Sequence, residues 1–249
     1  TPDISLILEK FSEGVVPSEP DIARLFQARD FDFTEICRTA NELRQKSNGD
    51  DVTYVVNRNI NYTNICTYRC TFCAFSKGKT TSGQRDKPYR LDTQEIVRRV
   101  AEAWDRGATE VCLQGGIHPD FTGETYLEIC AAVKDAAPDI HIHAFSPLEI
   151  AQGARTLNLT TEDFLSRLKN AGLSTLPGTA AEILDDDIRA TLCPDKINTN
   201  EWLSIMETAH DLGLRTTATI MYGHIEQPVH WARHLVRVRA LQELTGGFT

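Results

Sequence analysis

Three cysteines lie within eight residues of one another, at Cys66, Cys70 and Cys73. Thiolates this close in the chain can converge on one metal centre, and soft sulfur ligands select zinc, copper(I) or an iron–sulfur cluster. Structural zinc takes four protein ligands, typically as two separated pairs; with no second pair here, His118 would have to complete the site. A four-iron cluster held by three cysteines instead leaves one iron open to a small molecule. The spacing favours the open cluster and keeps zinc as the alternative.

The total number of cysteines bears on the cellular compartment. Seven cysteines, an odd number, in a chain without a secretion signal argue against a disulfide framework. The four outside the cluster are interpreted as small buried hydrophobic side chains: Cys37, Cys112, Cys130 and Cys193. The sequence therefore predicts a reducing compartment, the cytoplasm.

Composition excludes several kinds of partner. The 249 residues carry a formal net charge of −9 and no block of lysine and arginine, so we predict no nucleic-acid partner. No stretch approaches the ~20 apolar residues that cross a bilayer, so we predict no membrane segment. With 41% hydrophobic and 24% charged residues, the chain has the composition of an ordinary globular protein.

Strand-like and helical runs alternate after residue 50. The predicted strands are Val52–Ile60, Glu110–Leu113, Ile140–Phe145, Leu173–Leu176 and Leu214–Tyr222. The predicted helices that follow them are Thr93–Arg106, Glu124–Ala136, Thr161–Asn170, Asn200–Leu212 and Val229–Leu244. Repeated strand–helix units require parallel strands with right-handed crossovers, which a doubly wound sheet and a (β/α) barrel both satisfy.

The place of the cysteines bears on the choice between these folds. A dinucleotide-binding sheet opens with a glycine-rich turn after its first strand, where this chain has the cysteine cluster instead. In a barrel, the chemistry lies on the loops after the strands, where Gln114–Gly116 and Pro177–Thr179 also fall. We therefore predict an α/β fold, a partial (β/α)6 TIM-like barrel.

Two segments are predicted along the chain. Residues 1–50 form a polar helical segment, with a helix start at Ser18 and a second helix over Asp32–Lys46. Residues 51–249 form the barrel. Because the sequence stops at Gly246-Gly247-Phe248-Thr249, which resembles the start of a strand, we expect a barrel truncated at its last strand.

With the aromatic Phe72 directly before Cys73, the cysteine motif resembles that of the radical S-adenosylmethionine (radical SAM) superfamily. The resemblance implies a barrel of the radical SAM type with a [4Fe-4S] cluster on Cys66, Cys70 and Cys73. It also implies S-adenosyl-L-methionine as cofactor and an electron donor as partner. In that family the cofactor carries the difficult chemistry, a 5′-deoxyadenosyl radical, and the protein positions and shields it.

The resemblance also implies five cofactor-binding residues: Phe72, Gln114, Gly115, Gly116 and Glu182. The two glycines would let the backbone receive the methionine amino group, although Gln114 stands where glycine is more usual. Each feature has an ordinary alternative, a plain turn for the glycines and an acid in a first helical turn for Glu182. Residues 219–226 loosely match an adenine-binding pattern of the family.

Two histidines alternate with apolar residues on the third predicted strand. His141 and His143 must therefore point to the same face of the sheet. If that face is the barrel centre, His143 becomes a candidate substrate contact. The first strand is polar where a buried parallel strand should be apolar, so we expect its asparagines to line the cavity or hold the cysteine loop.

A longer stretch narrows the resemblance. Asn57–Cys66, continued by Cys70–Gly78, is similar to the tyrosine-using half of FO synthase, the 5-amino-6-(D-ribitylamino)uracil–L-tyrosine 4-hydroxyphenyl transferases. The similarity implies transfer of the 4-hydroxybenzyl group of L-tyrosine to 5-amino-6-(D-ribitylamino)uracil, in deazaflavin (FO, coenzyme F420) biosynthesis. It also implies a second radical SAM FO synthase component. Where that component is fused N-terminally, residues 1–50 would join the two.

Two alternatives stay open. Radical SAM enzymes of menaquinone synthesis, of the aminofutalosine and cyclic dehypoxanthine futalosine types, share the cluster and much of the scaffold. A non-catalytic zinc-binding barrel is the alternative from a different class, and it would bind zinc and turn over no cofactor.

Overall fold

The computed structural model describes residues 2–76 and 87–249, and it contains a five-stranded parallel sheet in chain order. The strands are β1 (Asn57–Asn61), β2 (Glu110–Gln114), β3 (His141–Ala144), β4 (Thr175–Leu176) and β5 (Arg215–Thr216). Lys77 and Gly78, at the end of the longest motif, lie outside the described residues. Sequential parallel strands with helices between them confirm the α/β class and the partial barrel.

Ten helices accompany the sheet in the described residues. Those before it are α1 (Pro2–Ser12), α2 (Glu19–Phe26) and α3 (Asp30–Asn48). Those after β1 are α4 (Thr93–Asp105), α5 (Gly123–Ala136), α6 (Pro147–Thr156), α7 (Thr161–Asn170), α8 (Asp186–Leu192), α9 (Thr199–Asp211) and α10 (Pro228–Thr245). None of the described helices combines the length and the apolar character that a membrane span needs.

The two faces of the sheet differ in polarity. Val111 and Ile142 are fully buried in the apolar core, and they alternate with polar neighbours that face the other side. On that polar face, the register places Cys112 beside His143 and His143 beside Thr175. The sheet therefore buries one side against the helices and presents polar side chains on the other.

Four strands, β1, β3, β4 and β5, are shorter than the sequence predicted, and β1 and β5 differ most. Where the strand Val52–Ile60 was expected, the structure contains only β1, and where Leu214–Tyr222 was expected, it contains only the two residues of β5. Val52 and Tyr54 are 89% and 86% exposed, so these β-favouring side chains have no packed surface to pair against. Side-chain propensity alone therefore made these strand predictions wrong in length.

Other departures from the prediction concern single elements. Phe248 forms an isolated parallel bridge with Thr216 where a further strand was expected. The predicted alternation lacked α6 and α8. A start signal for α6 was readable, because Ser146 and Glu149 form a reciprocal capping box. Cys37 is exposed and Cys112 is only partly buried, so their assignment as buried side chains was wrong, whereas Cys130 and Cys193 are buried as predicted.

The N-terminal helices pack on the last helix. Ser18 caps α2, which confirms the predicted helix start. Arg239 of α10 donates to the Pro17 carbonyl at 2.9 Å, and Arg233 pairs with Glu19 at 3.1 Å. The role of residues 1–50 as a junction to another domain stays a prediction.

His234 of α10 holds the loop that follows β4. Its side chain is buried, and its Nδ1 accepts a hydrogen bond from the Leu184 N–H at 3.0 Å. Burial, and then the charge of Arg237, lower the pKa of His234 from the usual 6.5 to about 4. The folded chain therefore keeps this ring neutral at pH values where the unfolded chain protonates it.

Stability should consequently fall as the pH drops from 6.5 towards 4, because the unfolded chain binds a proton that the folded chain excludes. Through His234 alone, the free energy of unfolding should fall by roughly 3 kcal/mol between the upper and the lower end of this pH range. In thermal denaturation at several pH values, a His234→Gln variant should lose melting temperature less steeply over the range than the wild type. Identical slopes in the two proteins would contradict this assignment.

Candidate cofactor site

Two adjoining cavities lie at the carboxyl ends of the strands. Their volumes are about 210 Å³ and 570 Å³, and we call the smaller one the inner cavity. Both are lined by the cysteine loop, through Cys66, Tyr68, Cys70, Cys73 and Ser76. The inner cavity is also lined by residues that follow β2, β3 and β4, among them Gln114, Gly115, Gly116, Ser146, Glu149, Glu182 and Lys196. The fold thus brings the three cysteines, the glycine turn and Glu182 to one cavity.

Backbone donors hold two of the sulfur atoms in the cysteine loop. The Ile117 N–H donates to Cys66 Sγ and the Ser76 N–H donates to Cys73 Sγ, both at 3.3 Å. Such donors stabilise a thiolate, the form that binds metal. Burial raises the pKa of Cys70 to about 11, so this thiol keeps its proton until a metal displaces it.

The donor set fits a soft metal centre, although the loop is not closed around one. Within residues 2–76 and 87–249, no three His, Cys, Asp or Glu side chains gather closely enough to hold a metal ion. Three free thiols on one cavity wall are nevertheless the ligand type that an iron–sulfur cluster takes. His118 stacks on Phe121 at 4.8 Å and lines neither cavity, so it does not support a zinc site.

The glycine turn has no room for side chains. A Cβ on Gly115 would lie 2.3 Å from the Tyr62 ring, and one on Gly116 would lie 2.3 Å from the Ile65 carbonyl oxygen. The Gly116 N–H donates to the Thr63 carbonyl at 3.0 Å. Among the described residues, no backbone donor is bound to the Gly115 or Gly116 carbonyl. This turn can therefore accept hydrogen bonds from a ligand.

Replacing Gly116 with alanine should disturb both the fold and the cysteine loop. The new methyl group would meet the Ile65 carbonyl and, at 2.9 Å, the Cys66 Cβ, so the backbone must shift at a cost of about 1–3 kcal/mol. We expect a lower melting temperature and weaker binding of S-adenosylmethionine, measured by calorimetry. Gly14→Ala is the matched control, because its φ of 84° also disfavours alanine but nothing lies within 4 Å. Equal binding by the two variants would contradict the prediction.

Glu182 lies in a loop with a strained backbone. Ala180 and Glu182 have positive φ values of 64° and 45°, a region that residues other than glycine rarely adopt. The buried Arg189 holds this loop by donating to the carbonyls of Ala180 and Ile183. Glu182 forms an ion pair with Lys196, and their side chains are only 11% and 12% exposed. No spacing rule links these two residues, and Lys196 was not predicted.

Phe72, the fifth of the expected cofactor contacts, lines neither cavity, and neither does Glu226 in the loosely matched adenine pattern. The Phe72 ring lies 5.8 Å from the His224 ring, and the Lys196 Nζ atom lies 5.6 Å from the centre of the Phe72 ring. Glu226, in the loosely matched adenine pattern, accepts hydrogen bonds at 3.1 Å from the His224 N–H and the Trp231 indole N–H. The role of Phe72 toward a cofactor stays a prediction.

A polar group lies on the interior face of β2, β3 and β4. His141 Nε2 and His143 Nδ1 each lie 2.7 Å from the Thr175 hydroxyl oxygen, which confirms that both rings point to one face. Gln114, which lines the inner cavity, donates to Cys112 Sγ at 3.3 Å, and Cys112 is the register partner of His143. Polar side chains thus run from the cavity down to the histidines.

The expectation for the asparagines is confirmed at one position. Asn64 is buried, and its side chain donates to the Lys87 carbonyl at 3.1 Å and accepts from the Tyr89 N–H at 2.8 Å. It therefore joins the stretch before Cys66 to the chain that returns after the cysteine loop.

Comparison with known proteins places this geometry in a family. The sequence profile of the radical SAM superfamily matches residues 60–237, which include all three cysteines, the glycine turn and Glu182. The chain belongs to the radical SAM superfamily. The matched region covers the end of β1 and the whole of β2 to β5.

Three curated relatives of this radical SAM chain illustrate its similarity. It is 51% identical over 217 residues to the 5-amino-6-(D-ribitylamino)uracil–L-tyrosine 4-hydroxyphenyl transferase of Methanopyrus kandleri, covering 86% of this chain and 57% of the relative. It is 50% identical over 244 residues to the transferase of the same name from Methanocaldococcus jannaschii, covering 96% and 66%. It is 47% identical to the FO synthase of Streptomyces avermitilis, covering 86% and 24%.

Solved structures share the fold of this radical SAM chain at low sequence identity. Methylornithine synthase (PylB) superposes with a TM-score of 0.72 at 18% identity, covering 94% of this chain and 64% of that one. The FeFe-hydrogenase maturase HydG from Carboxydothermus hydrogenoformans superposes with a TM-score of 0.71 at 18% identity, covering 98% and 54%.

Proposed function

We propose that this chain is a radical SAM 4-hydroxyphenyl transferase. It joins the 4-hydroxybenzyl group of L-tyrosine to 5-amino-6-(D-ribitylamino)uracil, which is the tyrosine-using half of FO synthesis. The observation that carries the proposal is the 50% identity over 244 residues to a transferase of that name. The three cysteines and the glycine turn, which share one cavity, support it.

In this proposal, Cys66, Cys70 and Cys73 hold a [4Fe-4S] cluster, and the two adjoining cavities together hold the cluster and S-adenosyl-L-methionine. When bound and reduced, these cofactors supply a 5′-deoxyadenosyl radical. The carbonyls of Gly115 and Gly116 accept hydrogen bonds from the ammonium group of the methionine portion, because no backbone donor in the described part of the chain is bound to their oxygens.

The buried ion pair serves the other end of the same cofactor. The Glu182 carboxylate can accept hydrogen bonds from two ribose hydroxyls, since a carboxylate offers about four lone-pair sites. Lys196, on the same wall, forms a buried ion pair with that carboxylate.

His143 is the proposed substrate contact. Burial lowers the pKa of His143, so its ring is held neutral and can donate and accept hydrogen bonds. The phenol hydroxyl of tyrosine is a matching partner, because it also donates and accepts. The Thr175 hydroxyl fixes the ring from the opposite strand at 2.7 Å.

The proposed protein partners are a second radical SAM FO synthase component and an electron donor. The chain covers 24% of the Streptomyces avermitilis FO synthase, so that relative holds further sequence beyond the matched part. All seven cysteines are free, which supports a reducing, cytoplasmic compartment.

Mass spectrometry of an anaerobic reaction tests the proposed function. Reconstituted protein, S-adenosylmethionine and dithionite are incubated with tyrosine, with tyrosine plus the ribitylaminouracil, and with neither. We expect extra 5′-deoxyadenosine together with an adduct only when both substrates are present. The mass of the adduct should be that of the ribitylaminouracil carrying a hydroxybenzyl group. Cofactor cleavage that ignores tyrosine would favour the menaquinone-type alternative, and bound zinc without cleavage would favour the non-catalytic barrel.

A further inference from the structure

One hydroxyl group joins the two histidines on the interior face of the sheet. His141 Nε2 and His143 Nδ1 each lie 2.7 Å from the Thr175 hydroxyl oxygen. This hydroxyl makes no other hydrogen bond within residues 2–76 and 87–249, so its single hydrogen goes to one of the two rings. It accepts a hydrogen bond from the other ring. Two arrangements are therefore possible, and they run through Thr175 in opposite directions.

The Glu110 carboxylate decides between the two directions. Its Oε2 atom lies 3.8 Å from His141 Nε2, and the Glu110 side chain is only 18% exposed. The Asn57 amide donates to the other oxygen, Oε1, at 3.3 Å. A carboxylate this close attracts a ring N–H and repels a ring lone pair, so His141 Nε2 carries a proton. This holds for a neutral and for a charged His141 ring, since both nitrogens are protonated in the charged form.

The proton on His141 determines the one on His143. His141 Nε2–H donates to the Thr175 oxygen, so the Thr175 hydroxyl donates to His143 Nδ1. Burial lowers the pKa of His143, so its ring is neutral and its one proton is on Nε2. In the part of the chain that the structure describes, the His143 ring makes no further hydrogen bond. Its Nε2–H therefore remains for a ligand.

These side chains lie in two layers below the inner cavity. Interior side chains of a parallel barrel stack in layers across neighbouring strands. Glu110 and His141 are register partners in the lower layer, and Cys112 and His143 are partners in the upper one. Gln114 lines the inner cavity and donates to Cys112 Sγ at 3.3 Å. The carboxylate is therefore far from the cavity and acts through the histidines.

We propose that Glu110 and Thr175 are positioning residues that fix the His143 ring as a hydrogen-bond donor, with its proton on Nε2. This inference rests on the proposed function, in which His143 contacts the side chain of tyrosine. It gives that contact a direction, because the phenol oxygen accepts and His143 donates. Phenylalanine lacks the oxygen and would leave the His143 N–H without a partner, so the contact selects tyrosine.

Nuclear magnetic resonance reads the proton positions on the anaerobically reconstituted chain labelled with ¹⁵N-histidine. Long-range ¹H–¹⁵N correlations distinguish a protonated ring nitrogen from one that accepts a hydrogen bond, and His143→Gln assigns the ring by removing its signals. Calorimetry on the same samples compares tyrosine with phenylalanine, with S-adenosylhomocysteine present in place of the reactive cofactor. The two measurements separate the hydrogen bonds from the proposed function.

The variants change one hydroxyl at a time. Thr175→Val keeps the shape of the side chain and removes the hydroxyl, and Thr175→Ser restores the hydroxyl. Thr216→Val is the matched control, because the Thr216 hydroxyl lies 2.8 Å from His210 Nε2 on the neighbouring strand. Thr216 is the register partner of the buried Leu176, so it lies on the opposite face of the sheet.

In the wild type we expect a proton on His143 Nε2 and a hydrogen-bonded acceptor at Nδ1. Thr175→Val should move the Nδ1 signal to that of an unbonded nitrogen. It should also lower the preference for tyrosine over phenylalanine about fivefold, the typical effect of one hydrogen bond. Thr175→Ser should restore both. Thr216→Val should change the signals of His210 and leave His143 and the preference for tyrosine unchanged.

Glu110→Gln is a second variant, which decides the matter if Thr175→Val does not fold. Its amide can donate to His141 Nε2, so part of the His143 population should carry its proton on Nδ1. A wild-type proton on His143 Nδ1, or His143 signals that neither variant changes, would overturn the inference. If the signals are as expected but the wild type binds tyrosine no better than phenylalanine, the tyrosine contact of the proposed function fails, and the role of His143 as its donor is overturned.

Discussion

Replacing Cys66 with alanine is expected to abolish reductive cleavage of S-adenosylmethionine. An open four-iron cluster needs all three thiolates, and the described residues that line the two cavities include no fourth cysteine to replace Cys66. The Ile117 N–H that donates to Cys66 Sγ would also lose its acceptor. The measurements are iron and sulfide content after anaerobic reconstitution and 5′-deoxyadenosine by mass spectrometry.

Cys37→Ala is the matched control for this loss. Cys37 is an exposed cysteine on α3 and lines neither cavity, so its removal should leave iron content and cleavage at the wild-type level. Cleavage retained by Cys66→Ala would show that the cluster is not held by this motif.

Replacing Lys196 with methionine should produce the largest loss of stability. Burial disfavours the Lys196 ammonium, but the Glu182 carboxylate, together with Cys70 and Cys193, more than offsets this effect and raises the pKa of Lys196. Without its partner, Glu182 would be a buried and uncompensated charge. Breaking such a pair typically lowers the free energy of unfolding by about 3–5 kcal/mol, which urea denaturation at neutral pH measures.

Two further variants make this expectation specific. Arg38→Met removes an exposed cation that pairs with Glu35 and Glu42, and it should change stability little, because exposed pairs are screened by water. The double variant Lys196→Met with Glu182→Gln should recover part of the lost stability, because no charge is left buried. If Lys196→Met is as stable as Arg38→Met, the buried pair does not stabilise the loop.

Features contiguous in the chain were predictable from the sequence. The cysteine motif and the glycine turn each occupy a few successive residues, so their spacing alone marks them. The strand order was also predictable, because short strand–helix units leave few ways to connect a parallel sheet. The lengths of β1 and β5 were not, since a strand extends only as far as neighbours cover it, and the sequence does not show which residues those are.

The residues that support the site could not be predicted. Glu149 is readable as part of a helix start with Ser146, but the capping pattern does not show that the carboxylate is buried beside Gly115. Glu182 meets Lys196 from a loop in which the backbone at Ala180 and Glu182 takes a left-handed conformation. The local sequence does not predict this left-handed conformation, because neither residue is glycine.

The packing of α2 on α10 has a consequence for the order of folding. The contacts that join these helices span 214 and 222 positions in the chain. During synthesis, α2 leaves the ribosome before α10 does. Its apolar side therefore has no packing partner until residues 228–245 have emerged. Contacts this distant in sequence form late, because a long loop must close before they are gained. The N-terminal helices should therefore be the last part of the chain to dock, and until then their exposed apolar side chains are the ones a chaperone would shield.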